Sequence, residues 1–174
     1  MQTIAAVSML LTVALPAAAS VEAGTRPQHR ELNPYDRGVV ERVRTRAAAR
    51  LEQAECGKLL TDFTDRGGRS LESNLRPWGV SASEYLRHIS FVDGSLVATC
   101  RNAAVMMAAI PGVPRVFVCP AGGGQVTSRL SRIEFQSGSL AEAMVIHEML
   151  HTLGLGENPP TTLEITERVR ERCR

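Results

Sequence analysis

The sequence predicts an α+β domain: a short twisted sheet packed on helices, with one buried helix at its centre. Three features predict it. Apolar residues recur at three- and four-residue steps from Val39 to Leu59, short β-type runs occur at 89–92 and 116–118, and residues 139–153 are apolar on nearly every side. At 174 residues the chain has room for one core and no evident second one. Its hydrophobic fraction of 44% and net charge of +2 fit a globular protein and give no reason to expect a nucleic-acid partner. Lys58 is the only lysine, and the arginines are scattered rather than gathered into one stripe.

The elements follow in chain order. Residues 4–15 form a mostly apolar run without charge, and Ala17, Ala18 and Ala19 follow Pro16. Small residues after a short apolar run predict a signal peptide over 1–19, a secreted or periplasmic protein, and no stable membrane insertion after cleavage. Residues 20–34 are polar and turn-prone and read as a flexible segment, leaving 35–174 as the folded domain.

A long helix is expected from Asp36. Val39, Val40, Val43, Ala47 and Leu51 mark its buried face, while Arg42, Arg44, Arg46 and Arg50 read as a solvated one. Gly67 and Gly68 end this region. Short helices are expected at 71–75 and 81–87, the second opened by a Ser81/Glu84 capping box. The run 89–92 leads into Asp93-Gly94, a hairpin signal, with 95–100 as the returning strand. Residues 116–118 form another β-type run, and Gly122-Gly123-Gly124 a loop. Residues 127–135 carry no decisive period. Helix 139–153 is expected to start at a Ser139/Glu142 capping box and stop at Gly154 and Gly156. A last helix is expected near 162–172, with Thr161 and Glu164 at capping-box spacing.

Four cysteines, Cys56, Cys100, Cys119 and Cys173, suit an oxidising compartment. Of the three possible pairings, Cys56–Cys100 with Cys119–Cys173 is preferred. The second bond would tie down the C-terminus, contributing about 4 kcal/mol in the chain-entropy account. No Cys-x-x-Cys pair points to a cysteine-zinc site.

Three ionisable residues interrupt the apolar helix: His147, Glu148 and His151. In H-E-x-x-H on a helix, two imidazoles one turn apart share a face and can hold one Zn2+ ion. Glu148 points to the neighbouring side, where it can act as general base toward water activated by the ion. The chemistry needs a third protein ligand. Glu157, ten residues after His147 and just past two glycines, is the preferred candidate, and Glu164 is the alternative.

These residues resemble the zincin metallopeptidases. The run His147-Glu-x-x-His151-x-x-Gly154-x-x-Glu157 looks like the elongated metzincin motif, with Glu in place of that clan's usual His or Asp, and no methionine follows Met149 to form the clan's methionine turn. The gluzincins, which take their third ligand from a downstream helix, suit Glu164. The stretch from His147 to Pro160, with Glu164 to Thr166 and Arg172-Cys173, is also similar to the end of small exported bacterial proteins regarded as metallopeptidases. The resemblance implies zinc, His147, His151 and Glu157 as ligands, Glu148 as base, and a peptide or protein substrate held along an edge strand. Residues 116–118 could form that strand, although a core strand suits them better; Tyr85 and His88 are candidates for a second electrophile. The competing expectations are a catalytically inactive zinc-binding domain, a metal-free disulfide-stabilised interaction domain, and hydrolysis of a non-peptide bond.

Overall fold

A computed structural model describes residues 30–122 and 127–174 of the chain. The expected signal peptide, most of the 20–34 segment, and Gly123 and Gly124 lie outside the described residues. No helix among those described is long and apolar enough to cross a membrane.

Among the described residues, eight α-helices and three strands make the expected α+β domain: α1 (Pro34–Leu51), α2 (Ala54–Gly57), α3 (Leu59–Asp62), α4 (Leu71–Leu75), α5 (Ala82–His88), β1 (Ser90–Asp93), β2 (Met107–Ala109), β3 (Arg115–Val118), α6 (Arg129–Gln136), α7 (Gly138–Thr152) and α8 (Thr162–Arg172). Helix α7 lies at the centre, against α1, α6, α8 and the β2–β3 side of the sheet. Its apolar residues join Val39, Val43 and Ala47 of α1, Leu86 of α5 and Val116 of β3 in one core. Asn33 caps α1 through the Asp36 N–H, Pro34 stands in the first turn, and the Ser81/Glu84 capping box opens α5.

Two local expectations are corrected. The cap of α7 is Ser137, whose hydroxyl accepts the Leu140 N–H, and not Ser139. Glu142 is therefore free of the cap and is buried, with its carboxylate held by Arg46 and Arg50 of α1. Arg42 and Arg46 also pair with Glu134 of α6. The arginine face of α1 is thus partly a charged seam against α6 and α7 rather than a solvated surface. A buried carboxylate needs such partners, so the seam fixes how these helices meet.

The Asp93-Gly94 hairpin does not form. The sheet order is β1-β3-β2, with β1 parallel and β2 antiparallel to β3. The Asp93 carboxylate accepts the Ser95 N–H, and the Gly94 N–H donates to Val118 O at 2.9 Å. A Cβ at Gly94 would stand 2.6 Å from Cys100 Sγ and 3.0 Å from Val118 O. The glycine is there for close approach, and residues 98–101 form a 3-10 turn instead of a returning strand.

The disulfides are Cys56–Cys173 and Cys100–Cys119, which overturns the preferred pairing. The C-terminus is tied down as expected, but to α2. The two bonds close loops of 117 and 19 residues, which in the chain-entropy account stabilise by about 5 and 3 kcal/mol.

Helix α7 ends in a Schellman turn. The Gly154 N–H donates to His151 O and the Leu155 N–H to Leu150 O, with Gly154 at φ 107° and Leu155 buried beneath it. Asn74 clamps this turn by donating to both Leu153 O and Asp65 Oδ2 at 2.9 Å. The Asp65 carboxylate also accepts the Gly67 and Arg69 N–H groups and the Arg69 guanidinium. The Asn74 bond, followed by that of the Arg69 backbone, holds the carboxyl down at about 2, from 3.8. A depressed folded-state value means stability that is present above about pH 4 and lost as pH falls toward 2. Asp65→Asn should therefore lower the melting temperature at pH 6. The gap from wild type should close between pH 4 and 2 in parallel thermal melts; a gap independent of pH would contradict this role.

Candidate metal centre

The one-turn spacing of His147 and His151 on α7 brings their Nε2 atoms to 3.0 Å of each other. The Schellman turn and the two residues after it carry Glu157 back beside them. Its Oε1 lies 3.3 Å from His151 Nε2 and 3.7 Å from His147 Nε2. Both rings are buried, with residue exposures of 1% and 6%, whereas the Glu157 side chain is 40% exposed. One side of the group is thus packed by the protein and the other opens outward.

The Nδ1 partners decide which nitrogen carries hydrogen. His151 Nδ1 is 2.8 Å from the Leu155 carbonyl, which can only accept. His147 Nδ1 is 3.0 Å from Thr166 Oγ1, whose own hydrogen goes to Thr162 O at 2.9 Å. Both rings therefore hold hydrogen on Nδ1 and present a bare lone pair at Nε2. Glu157 Oε1 accepts the Thr162 hydroxyl at 2.9 Å. Helix α8 thus orients two of the three donors, and the turn that ends α7 orients the other.

Three such donor atoms at 3.0–3.7 Å repel unless a proton or a metal cation lies among them. For Zn2+ with bonds of about 2.1 Å, tetrahedral ligands stand about 3.4 Å apart. The group fits one such ion and leaves the fourth direction to the cavity. Burial, and then the charge of His151, lowers the His147 value to about 4, so its imidazole is neutral and ready to ligate at neutral pH.

Glu148 lines the same cavity, of about 710 Å³, between α7, β2 and α8. It is 4% exposed and its Oε2 has no hydrogen-bond partner among the described residues. Burial, and next the charge of Glu157, pushes its carboxyl up to about 8; the Ala109 N–H acts in the opposite direction. A divalent cation on the three donors would favour the ionised form.

Strand β2 supplies the opposite wall. Met106 O accepts the Cys119 N–H, so the alternating antiparallel ladder turns the Met107 and Ala109 backbone toward the free edge. Residues 107–109 gave no strand signal in sequence, being short and alanine-rich, and β3 proves to be the central strand rather than the edge. Glu164 is not with the histidines: its carboxylate accepts the Thr161 N–H and hydroxyl, completing the capping box of α8. Tyr85 is buried and hydrogen-bonded to Thr152, and neither it nor the exposed His88 lines the cavity. Leu155, Thr162 and Thr166, which orient the donors, carry no motif and could not be singled out by spacing. No known family model, characterised protein or solved structure matches this chain, so the reading of the site rests on its own geometry.

Proposed function

We propose that this protein is an exported zinc-dependent peptidase of the zincin type, with His147, His151 and Glu157 as ligands and Glu148 as general base. The observation that carries the proposal is the unpartnered Glu148 oxygen, buried in the same cavity as three convergent donors. A purely structural metal has no use for a neighbouring acceptor left bare at the cost of its desolvation. When bound, zinc would polarise the scissile carbonyl and make a water acidic enough to attack it.

The protein's own groups do the rest. Glu148 takes the proton of the attacking water and passes it to the leaving amine, work suited to a carboxyl whose affinity for a proton is raised. The free edge of β2 offers the Met107 backbone and the Ala109 carbonyl to an extended peptide, which is strand addition to a sheet, while the Ala109 N–H holds Glu148. Leu163 lines the cavity and is largely exposed, so it can cover apolar substrate side chains.

The test is metal analysis of the protein exported in its disulfide-bonded form, together with cleavage of an unfolded protein substrate. One zinc per chain and cleavage abolished by a chelator, then restored by zinc, are expected. Metal-free protein that takes up no zinc would overturn the proposal, and stoichiometric zinc with no cleavage of any peptide would remove its enzymatic half.

A further inference from the structure

The cavity beside the three donors has two chemically different ends. Leu140 and Met144 of α7, Met106 before β2 and Leu163 of α8 line it with apolar surface. Arg66 is the one cationic side chain, apart from the histidines, among the described residues that line it. Arg66 also lines two adjoining clefts: one running past Pro111 to Trp78, the other bordered by Gly156 and Glu157. It therefore stands where three clefts meet.

Arg66 is exposed, and its side chain lies against Gly156. A Cβ on Gly156 would fall 2.9 Å from Arg66 Nε and 3.1 Å from its Cγ, so a larger residue there would displace the arginine from its present position. No ion pair joins Arg66 to any carboxylate among the described residues, although neighbouring Arg69 is paired with Asp65. A guanidinium aimed at a junction of clefts, with its planar fork uncommitted, is suited to binding a carboxylate.

We infer that Arg66 is a specificity-determining residue that binds a carboxylate of the peptide, selecting substrates with an acidic residue toward the Arg66 end and an apolar residue toward the Met144 end. This rests on the proposed peptidase reading. With the peptide laid antiparallel to β2, which runs from the Met106 end toward Pro111, the acidic residue lies on the amino side of the scissile bond.

The test uses full-length, zinc-loaded protein carrying Glu148→Gln, so that binding is read without cleavage. The probes are apolar hexapeptides with a single Glu, or Gln in its place, moved along the sequence. Trp78, the only tryptophan, lines the cleft next to Arg66 and reports binding by fluorescence. At one position Glu is expected to bind about tenfold more tightly than Gln, as for a charge-assisted pair. Arg66→Gln should abolish that ratio with zinc affinity unchanged, and Arg66→Glu should favour Lys in its place. A Glu/Gln ratio that survives Arg66→Gln, or the absence of binding by every peptide, would overturn the inference. Separately, wild-type protein is incubated with the same peptides. Glu selectivity without cleavage would leave Arg66 assigned and refute the peptidase reading; cleavage without Glu selectivity would do the reverse.

Discussion

Glu148→Gln should reduce peptide hydrolysis by about 10²–10⁴-fold, the range for losing a positioned general base, while zinc stays bound at one per chain. The amide keeps the shape of the side chain and can still accept the Ala109 N–H, but it cannot take a proton. Because Glu148 is 4% exposed, with one carboxyl oxygen unpartnered among the described residues, replacing it with a neutral group relieves a desolvation penalty. The melting temperature of the metal-free variant should therefore equal or exceed that of metal-free wild type. The loss should fall on kcat rather than KM, since in the proposed mechanism Glu148 acts on the attacking water and does not hold the peptide. Retained activity in this variant would place the base elsewhere. Lost zinc would make Glu148 a structural support of the metal centre.

The part of this site that the sequence discloses is the part dictated by helical period. His147, Glu148 and His151 are legible because one turn separates the two imidazoles and because ionisable groups on a helix apolar all round need an explanation. Glu157 is legible from the glycines before it: Gly154 takes φ 107°, and the Schellman turn it permits returns the chain to the histidines. What depends on distant pairing is not legible. Strand β2 is three residues, Met107, Ala108 and Ala109, whose extended form comes from its bonds to β3 rather than from propensity. Asp93-Gly94 carries a hairpin's residues, yet the glycine is required by Cys100 and Val118 pressing on it from elsewhere in the chain. The cysteine pairing and the Arg46–Glu142–Arg50 seam likewise join segments about a hundred residues apart, except for the short Cys100–Cys119 loop, which the unrecognised 3-10 turn concealed.

Glu157→Ala and Glu164→Ala should have opposite signatures, and the contrast tests the choice of third ligand. Removing the group that orients a metal ligand costs about 10–100-fold in affinity, so removing a ligand itself should cost at least about 100-fold. Glu157→Ala should therefore lose zinc in competition with a chelator of moderate affinity. Its metal-free fold should change little, because the side chain is 40% exposed and its hydrogen bond from Thr162 lies at the surface. Glu164→Ala removes half of the α8 capping box, an exposed interaction at the helix N-terminus. It should lower the melting temperature by a few degrees and leave zinc affinity nearly intact, since Cys56–Cys173 still anchors α8 at its far end. Melting with and without zinc separates the two effects. A ligand that binds only the folded state raises the melting temperature by an amount that grows with the logarithm of one plus the ratio of its free concentration to Kd. The zinc-induced rise should therefore shrink in Glu157→Ala and persist in Glu164→Ala. The reverse pattern would require α8 to turn Glu164 inward and give up its cap, placing the third ligand on the helix rather than in the loop.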